Sequence, residues 1–263
     1  INVKAIAQGS SEIDISAVIS AEDEKNPLNV LHDAFFLSGL KTLNLFMMGP
    51  GQVGAALLEQ IQDHASSLEK DHKLAIKLVG VANSRKMLIS EDGIALDSWA
   101  SKLDSKGSES DLASFVAQMK EANLSNSVFI DCTANDAVAE TYKGILEQSI
   151  SVVTPNKRAV SDSYPKYLEL KEAAQRANVK YFYETNVGAG LPVISTLRDL
   201  IASGDEVIHI EGILSGTLSY IFNTFTVGKS YSEVVIQAKE SGYTEPDPRD
   251  CLLYTSPSPR DLA

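Results

Sequence analysis

Gly49, Gly51 and Gly54 are spaced Gly-x-Gly-x-x-Gly. They follow an apolar run, Thr42–Met48, and lead into Ala55-Ala56-Leu57-Leu58, which reads as the opening of a helix. A strand, a glycine turn and a helix in that order can cradle a pyrophosphate. Gly49 permits the tight turn, Gly51 lets backbone approach phosphate, and Gly54 lets helix and strand pack closely. The helix start adds unpaired N–H groups and a partial positive charge. The bland alternative is a glycine turn with no ligand. Cofactor choice is read at Val81-Ala-Asn83-Ser84-Arg85-Lys86. An NAD enzyme usually carries a carboxylate there for the ribose 2′-hydroxyl. This chain instead has Asn83, Ser84 and Arg85, a set suited to a 2′-phosphate, so NADP(H) is preferred and NAD(H) is second. A solvated Arg85/Lys86 pair is the competing reading.

Other groups fall at the ends of further strands. In Asp131-Cys132-Thr133-Ala134-Asn135, Thr133 and Ala134 are placed to pass under a nicotinamide ribose. Cys132 reads as packing. Thr154-Pro-Asn-Lys157 puts Lys157 at the same crevice edge, against the ordinary alternative of a surface charge. Glu184-Thr-Asn-Val-Gly-Ala-Gly-Leu-Pro192 combines a carboxylate with glycines that let carbonyls turn inward. That set suits a hard cation, and a plain hinge is the alternative. Gly242-Tyr-Thr-Glu-Pro-Asp-Pro-Arg-Asp250 is a proline-stiffened acidic loop suited to a substrate ammonium, or else a rigid interdomain connection. His32, His64, His72 and His209 show no metal spacing, and no Gly-x-Ser-x-Gly elbow occurs.

These groups need a scaffold that brings strand ends together. Strands are expected at Thr42–Met48, Leu74–Ala82, Val128–Cys132, Ser151–Thr154 and Lys180–Glu184, with helices over 112–119, 136–148 and 162–177. Residues 66–73 read as a hydrophilic turn, and 84–110 as helix plus loop. The β–α alternation implies an α/β fold with a doubly wound, mostly parallel sheet. Beyond Asn186 the texture changes to helix 191–203, strand Val207–Leu214, and helices 216–227 and 231–240, a second domain. Residues 1–42 read as a separate piece, with an alternating strand at Ile13–Ser20 and a helix at 28–37.

Composition narrows the class. The chain has 263 residues, 44% hydrophobic and 22% charged, ordinary globular usage. With 23 basic against 35 acidic residues its net charge is −12, which sets it against nucleic-acid partners. Two cysteines, Cys132 and Cys251, allow no disulfide framework. Neither a membrane span nor a signal peptide is visible, so a cytoplasmic setting is expected. The first residue is Ile, which suggests a start inside a longer protein.

Taken together, GPGQVG (49–54), VANSR (81–85), TPNK (154–157), ETNVGAGLP (184–192), GILSGTLSYIFN (212–223) and GYTEPDPRD (242–250) resemble homoserine dehydrogenase, over roughly 42–250. AIAQGSSEIDISAVI (5–19) and NVLHDAFF (29–36) resemble the end of an aspartate kinase ACT domain, and so a bifunctional aspartate kinase–homoserine dehydrogenase. The resemblance implies interconversion of L-homoserine and L-aspartate 4-semialdehyde, in threonine and methionine biosynthesis. It implies an ACT remnant over 1–40, a Rossmann nucleotide domain over 41–183 and an α+β catalytic and dimer-forming domain over 184–250. By matching position, Gln52 and Val53 join the three glycines and Arg85 in holding the nucleotide, and Thr133 and Lys157 border the nicotinamide. Glu245 takes the substrate ammonium, with Asp250 and Lys157 also at the substrate. Glu184 and the carbonyls of Val187, Ala189 and Leu191 match a sodium site.

The chain departs from the family after Asp250. Residues 251–263 lack the lysine that carries the acid–base role and read as a non-native tail, leaving Lys157 and Glu245 as the catalytic groups and implying weak turnover. Two rival readings remain: a nucleotide-binding regulatory module without catalysis, and another two-domain NAD(P)-dependent amino-acid dehydrogenase. A semialdehyde dehydrogenase of that kind would need a nucleophilic cysteine beyond the nucleotide domain, where Cys251 alone stands.

Overall fold

The computed structural model describes residues 3–8, 15–21, 39–213, 215–228, 230–244 and 248. The expected helix at 28–37, His32, Glu245, Asp250, Cys251 and the tail 251–263 lie outside the described residues. The chain divides into two compact units, Ile1–Tyr183 and Glu184–Ala263.

In the first unit, β1 (Val3–Gln8) and β2 (Ile15–Ile19) form an antiparallel two-stranded sheet. The main sheet has seven strands. They are β3 (Lys41–Met48), β4 (Leu74–Ala82), β5 (Lys86–Ile89), β6 (Ser108–Glu109), β7 (Ser127–Asp131), β8 (Ser151–Val153) and β9 (Tyr181–Phe182), in the spatial order β6-β5-β4-β3-β7-β8-β9. Strands β4, β3, β7, β8 and β9 run parallel, and β5 and β6 add antiparallel pairs at one edge. Seven helices connect them: α1 (Gln52–His72), α2 (Trp99–Lys106), α3 (Leu112–Ala122), α4 (Asp136–Ala139), α5 (Tyr142–Leu146), α6 (Arg158–Ser161) and α7 (Tyr164–Arg176).

The sheet is buried on both faces, which explains its near-continuous apolar strands. Side chains alternate between the faces. Phe46, Met48, Val79 and Phe129 pack with Phe115, Tyr142, Ile145 and Leu170 on one side. Leu45, Met47, Leu78, Val81 and Ile130 pack with Leu58, Ile94 and Leu103 on the other. Each such large side chain contributes about 1.5–3 kcal/mol by leaving water.

Three local expectations change. Residues 66–72 are the last turns of α1, not a turn. Lys70 and His72 sit in its final turn, where cations favour the helix dipole, and Lys73 closes it in a left-handed conformation. The stretch 84–110 holds β5 and β6 as well as α2, because Asn83 folds the chain back beside β4. Its Oδ1 accepts the backbone N–H groups of Arg85 and Lys86, both at 2.8 Å. Helix 136–148 is broken into α4 and α5.

The second unit holds a 3₁₀ turn at Glu184–Asn186 and helices α8 (Val193–Ala202), α9 (Gly216–Thr224) and α10 (Tyr231–Glu240). Ile221, Val234 and Ala238 form its small core. Residues 207–213 alternate like a strand but form none, since a strand needs a neighbour to take its backbone hydrogen bonds. No helix among the described residues is long and apolar enough to cross a membrane.

Candidate functional site

The order of strands sets the site. From β3 the chain moves to β4 on one side, then crosses to β7 on the other. Loops leaving β3 and β7 therefore diverge and open a crevice at the carboxyl edge of the sheet. Four loops meet along that edge: 49–54 after β3, 83–85 after β4, 132–135 after β7 and 154–157 after β8.

The first loop is shaped by what its glycines lack. Gly49 has φ +82°, and a Cβ there would lie 2.8 Å from the Cys132 carbonyl carbon and from Thr133 Cγ2. A Cβ on Gly54 would lie 2.5 Å from the Gly49 carbonyl oxygen, so helix and turn touch only because it is absent. A Cβ on Gly51 would meet nothing within 4 Å. The backbone is thus bare and open at Gly51 and closed against neighbouring backbone at Gly49 and Gly54. The first intrahelical bond of α1 runs from Ala55 N–H to the Gly51 carbonyl at 2.8 Å. The amides of Gln52, Val53 and Gly54 precede it and point out of the helix end. Neither an acidic residue in the first turn nor a capping side chain competes for that positive end.

In the loop after β4, Ser84 and Arg85 are exposed, while Asn83 uses its carbonyl oxygen inside the turn. Asn83 therefore shapes this corner and retains only its amide NH₂ for a ligand. Lys86 sits on β5 and donates from Nζ to the Asp104 carbonyl, so the second cation is engaged at α2.

The loops after β7 and β8 are tied together beneath the surface. Asp131, Thr154 and Asn156 are buried, as is Tyr142. Thr133 N–H donates to Asp131 Oδ1 at 2.7 Å, and Tyr142 Oη–H and Asn156 Nδ2 donate to Oδ2 at 2.5 and 2.9 Å. Thr154 Oγ1 donates to the Asp131 carbonyl at 2.8 Å. Burial, and after it the neighbouring Asp131, pushes the Tyr142 phenol far above its ordinary range, so it stays a donor. Lys157 occupies the position just before α6, with no side-chain bond to the helix amides, and is partly buried. Cys132 is held as a thiol, pushed up to about 11 by burial and then by Asp131. That supports packing over nucleophilic chemistry.

In the second unit, Glu184 has a role the sequence did not reveal. Its Oε1 and Oε2 accept the N–H groups of Ile194 and Ser195, both at 2.9 Å, and so cap α8. The Leu191 carbonyl accepts Val193 N–H at 2.9 Å, and Ala189 adopts φ +51°. Val187 N–H donates to the Glu184 carbonyl at 3.4 Å. Among the described residues no cluster of three or more His, Cys, Asp or Glu could hold a metal. The start of the acidic loop is anchored to α9: Thr217 Oγ1 donates to the Tyr243 carbonyl at 2.5 Å, and Tyr243 stacks on Tyr220 with ring centres 4.6 Å apart.

Comparison with known proteins agrees with this arrangement. The family model "Homoserine dehydrogenase, NAD binding domain" matches residues 49–184, more than half of the chain. "Homoserine dehydrogenase" matches 192–252 and "ACT domain" matches 1–35. A bifunctional aspartokinase/homoserine dehydrogenase 2, chloroplastic, from Arabidopsis thaliana is 47% identical over 97% of this chain, which spans 28% of that relative's length. A homoserine dehydrogenase from Schizosaccharomyces pombe is 38% identical over 80% of this chain and 57% of its own length. Among solved structures, a hyperthermophilic archaeal homoserine dehydrogenase in complex with NADPH superposes with a TM-score of 0.66 at 23% identity, over 80% of this chain and 64% of that one. Its likeness is one of fold. With a Rossmann-type core, a helical second unit and an N-terminal ACT-like segment, this chain belongs to the homoserine dehydrogenase family.

Proposed function

We propose that the protein to which this chain belongs is a homoserine dehydrogenase joined to an aspartate kinase, and that this chain supplies its dinucleotide site. The reaction is the interconversion of L-homoserine and L-aspartate 4-semialdehyde, in threonine and methionine biosynthesis. One observation carries the nucleotide reading: a glycine turn, open at Gly51 and closed against backbone at Gly49 and Gly54, on the carboxyl edge of a parallel sheet at its change of direction.

Fit to a dinucleotide follows from that cradle. Amides of Gln52, Val53 and Gly54 hold the pyrophosphate, with Gly49 and Gly51 giving it room. Arg85 pairs with a 2′-phosphate, assisted by Ser84 and the Asn83 amide, so NADP(H) is preferred over NAD(H). Thr133 and Lys157 border the nicotinamide. When bound, the nicotinamide supplies or accepts the hydride. The chain's own part is to fix the ring's plane, exclude water from its face and place Lys157 near the substrate oxygen. Glu245 and Asp250 belong to the same proposal as groups for the substrate ammonium, supported by the anchoring of Tyr243 just before them. A homo-oligomer of the complete protein is supported by Ile208, Ile213 and Phe222, apolar side chains that the second unit leaves exposed. For sodium the support is weaker. Both Glu184 oxygens and the Leu191 carbonyl already accept amide hydrogens.

Homoserine-dependent reduction of NADP+, followed by the absorbance of the reduced nicotinamide in the protein carrying this chain, tests the reading. It is expected with NADP+ and more weakly with NAD+. Absence of turnover with either nucleotide would refute the activity.

A further inference from the structure

We propose that Asp131 is a positioning residue for the nicotinamide half of the dinucleotide, acting through Thr133 and Asn156; the proposal rests on the nucleotide reading given above. Asp131 ends β7 and is completely buried. Its reach into the crevice is through its partners. Oδ1 holds the amide of Thr133 at 2.7 Å, fixing the loop after β7. Oδ2 holds Nδ2 of Asn156 at 2.9 Å, fixing the loop after β8. Asn156 passes the constraint on in two directions. Nδ2 also donates to the Asn135 carbonyl at 3.1 Å, and Oδ1 accepts Arg158 N–H at 3.1 Å, in the first turn of the helix that follows Lys157. Thr133 Oγ1 in turn accepts Asn135 N–H at 3.2 Å. One carboxyl group thus sets the separation of two loops that come from different strands and meet at the crevice.

This network has a direction that a substitution cannot preserve. All three groups reaching the carboxyl oxygens are donors, so an amide in its place offers one acceptor too few. Asn156 cannot compensate by turning over, because that would aim its NH₂ at Arg158 N–H and its carbonyl at Asn135. By contrast, the glycine turn meets the β7 loop through Gly49 packing on Cys132 and Thr133 rather than through a bond to Asp131, and the loop that carries Arg85 lies on β4, so the adenosine half depends on Asp131 less than the nicotinamide half does.

The test exploits that split. NADPH and adenosine 2′,5′-bisphosphate, which lacks the nicotinamide half, are titrated against the whole chain, its Asp131→Asn variant and its Asn156→Ala variant, each checked for folding by circular dichroism. Both variants are expected to lose about tenfold or more in NADPH affinity, the scale of one lost charge-assisted hydrogen bond. Affinity for the bisphosphate should fall several-fold less than that for NADPH, because its contacts lie on the glycine turn and Arg85 and none is a bond to the Asp131 network. If Asp131→Asn does not fold, Asn156→Ala alone decides. Folded variants that keep the wild-type ratio would overturn the positioning role. An unaltered chain that binds neither probe would overturn the nucleotide reading, and the proposal with it.

Discussion

Two single-methyl substitutions in the glycine turn separate packing from ligand approach. In Gly54→Ala the new Cβ would sit 2.5 Å from the Gly49 carbonyl oxygen and 3.3 Å from Met47 Sδ. The first contact is with backbone, and Gly49 is itself pressed against the β7 loop, so neither side can yield cheaply. Overpacking of this kind costs about 1–3 kcal/mol. For a chain of this size each kcal/mol lowers the melting temperature by about 2–4 °C, giving a loss of about 2–12 °C. Gly51→Ala differs in kind. Its φ of −78° suits any residue and its Cβ would meet nothing within 4 Å, so the melting temperature should move by no more than about 2 °C. The methyl would instead stand where the pyrophosphate meets the helix amides. Loss of one charge-assisted hydrogen bond, about 1.5–3 kcal/mol, corresponds to roughly 10- to 140-fold weaker NADPH binding. Thermal melts and NADPH fluorescence titrations on both variants are the assay. Wild-type NADPH affinity in Gly51→Ala, or a wild-type melt in Gly54→Ala, would refute the reasoning.

Other outcomes follow from the same geometry. Arg85→Ala should weaken NADPH about tenfold or more, as expected for a lost arginine–phosphate contact, and leave NADH nearly unchanged; equal losses for both would remove Arg85 from the 2′-phosphate. Glu184→Ala should destabilise the second unit by about 0.5–2 kcal/mol through loss of the α8 cap, measured by denaturant melts; sodium chloride compared with choline chloride at equal ionic strength should change that stability little if capping is the main role. Cys132, held as a thiol up to about pH 11, should react with iodoacetamide at pH 8 far more slowly than in the unfolded chain. Because folding raises this group's proton affinity, its contribution is full at neutral pH and is lost as the pH climbs through the alkaline range toward 11. Stability of Cys132→Ser should therefore fall less over that range than that of the unaltered chain.

Much of the sheet was legible in the amino-acid sequence because burial on both faces writes itself as uninterrupted apolar runs, as in Leu74–Ala82 and Val128–Ile130. What escaped depends on partners distant in sequence. β5 is four residues long with charged neighbours, and only its pairing with β4 makes it a strand. The last turns of α1 are polar because they face solvent, so they show no apolar period. Residues 207–213 show the reverse failure, an alternating pattern that pairs with no strand among the described residues. The glycine turn and Arg85 were readable because their chemistry is local. The capping role of Glu184 is not legible, since nothing in its surroundings reveals that α8, beginning nine residues later, turns its amides back onto it. Asp131 appeared only as the end of a strand. Its one signal was a lone carboxylate closing an apolar run, followed in the adjoining loops by Thr133, Asn135, Thr154 and Asn156, side chains able to meet it.

Hydrogen–deuterium exchange of the whole chain with and without NADPH tests the central claim most directly, since it reads all four crevice loops at once. NADPH should slow exchange at 51–55, 84–86, 133–135 and 156–158, while the outer residues of α1 and the exposed sheet β1–β2 keep their rates. Protection confined to other segments, or none at saturating NADPH, would contradict a dinucleotide site at the carboxyl edge of this sheet.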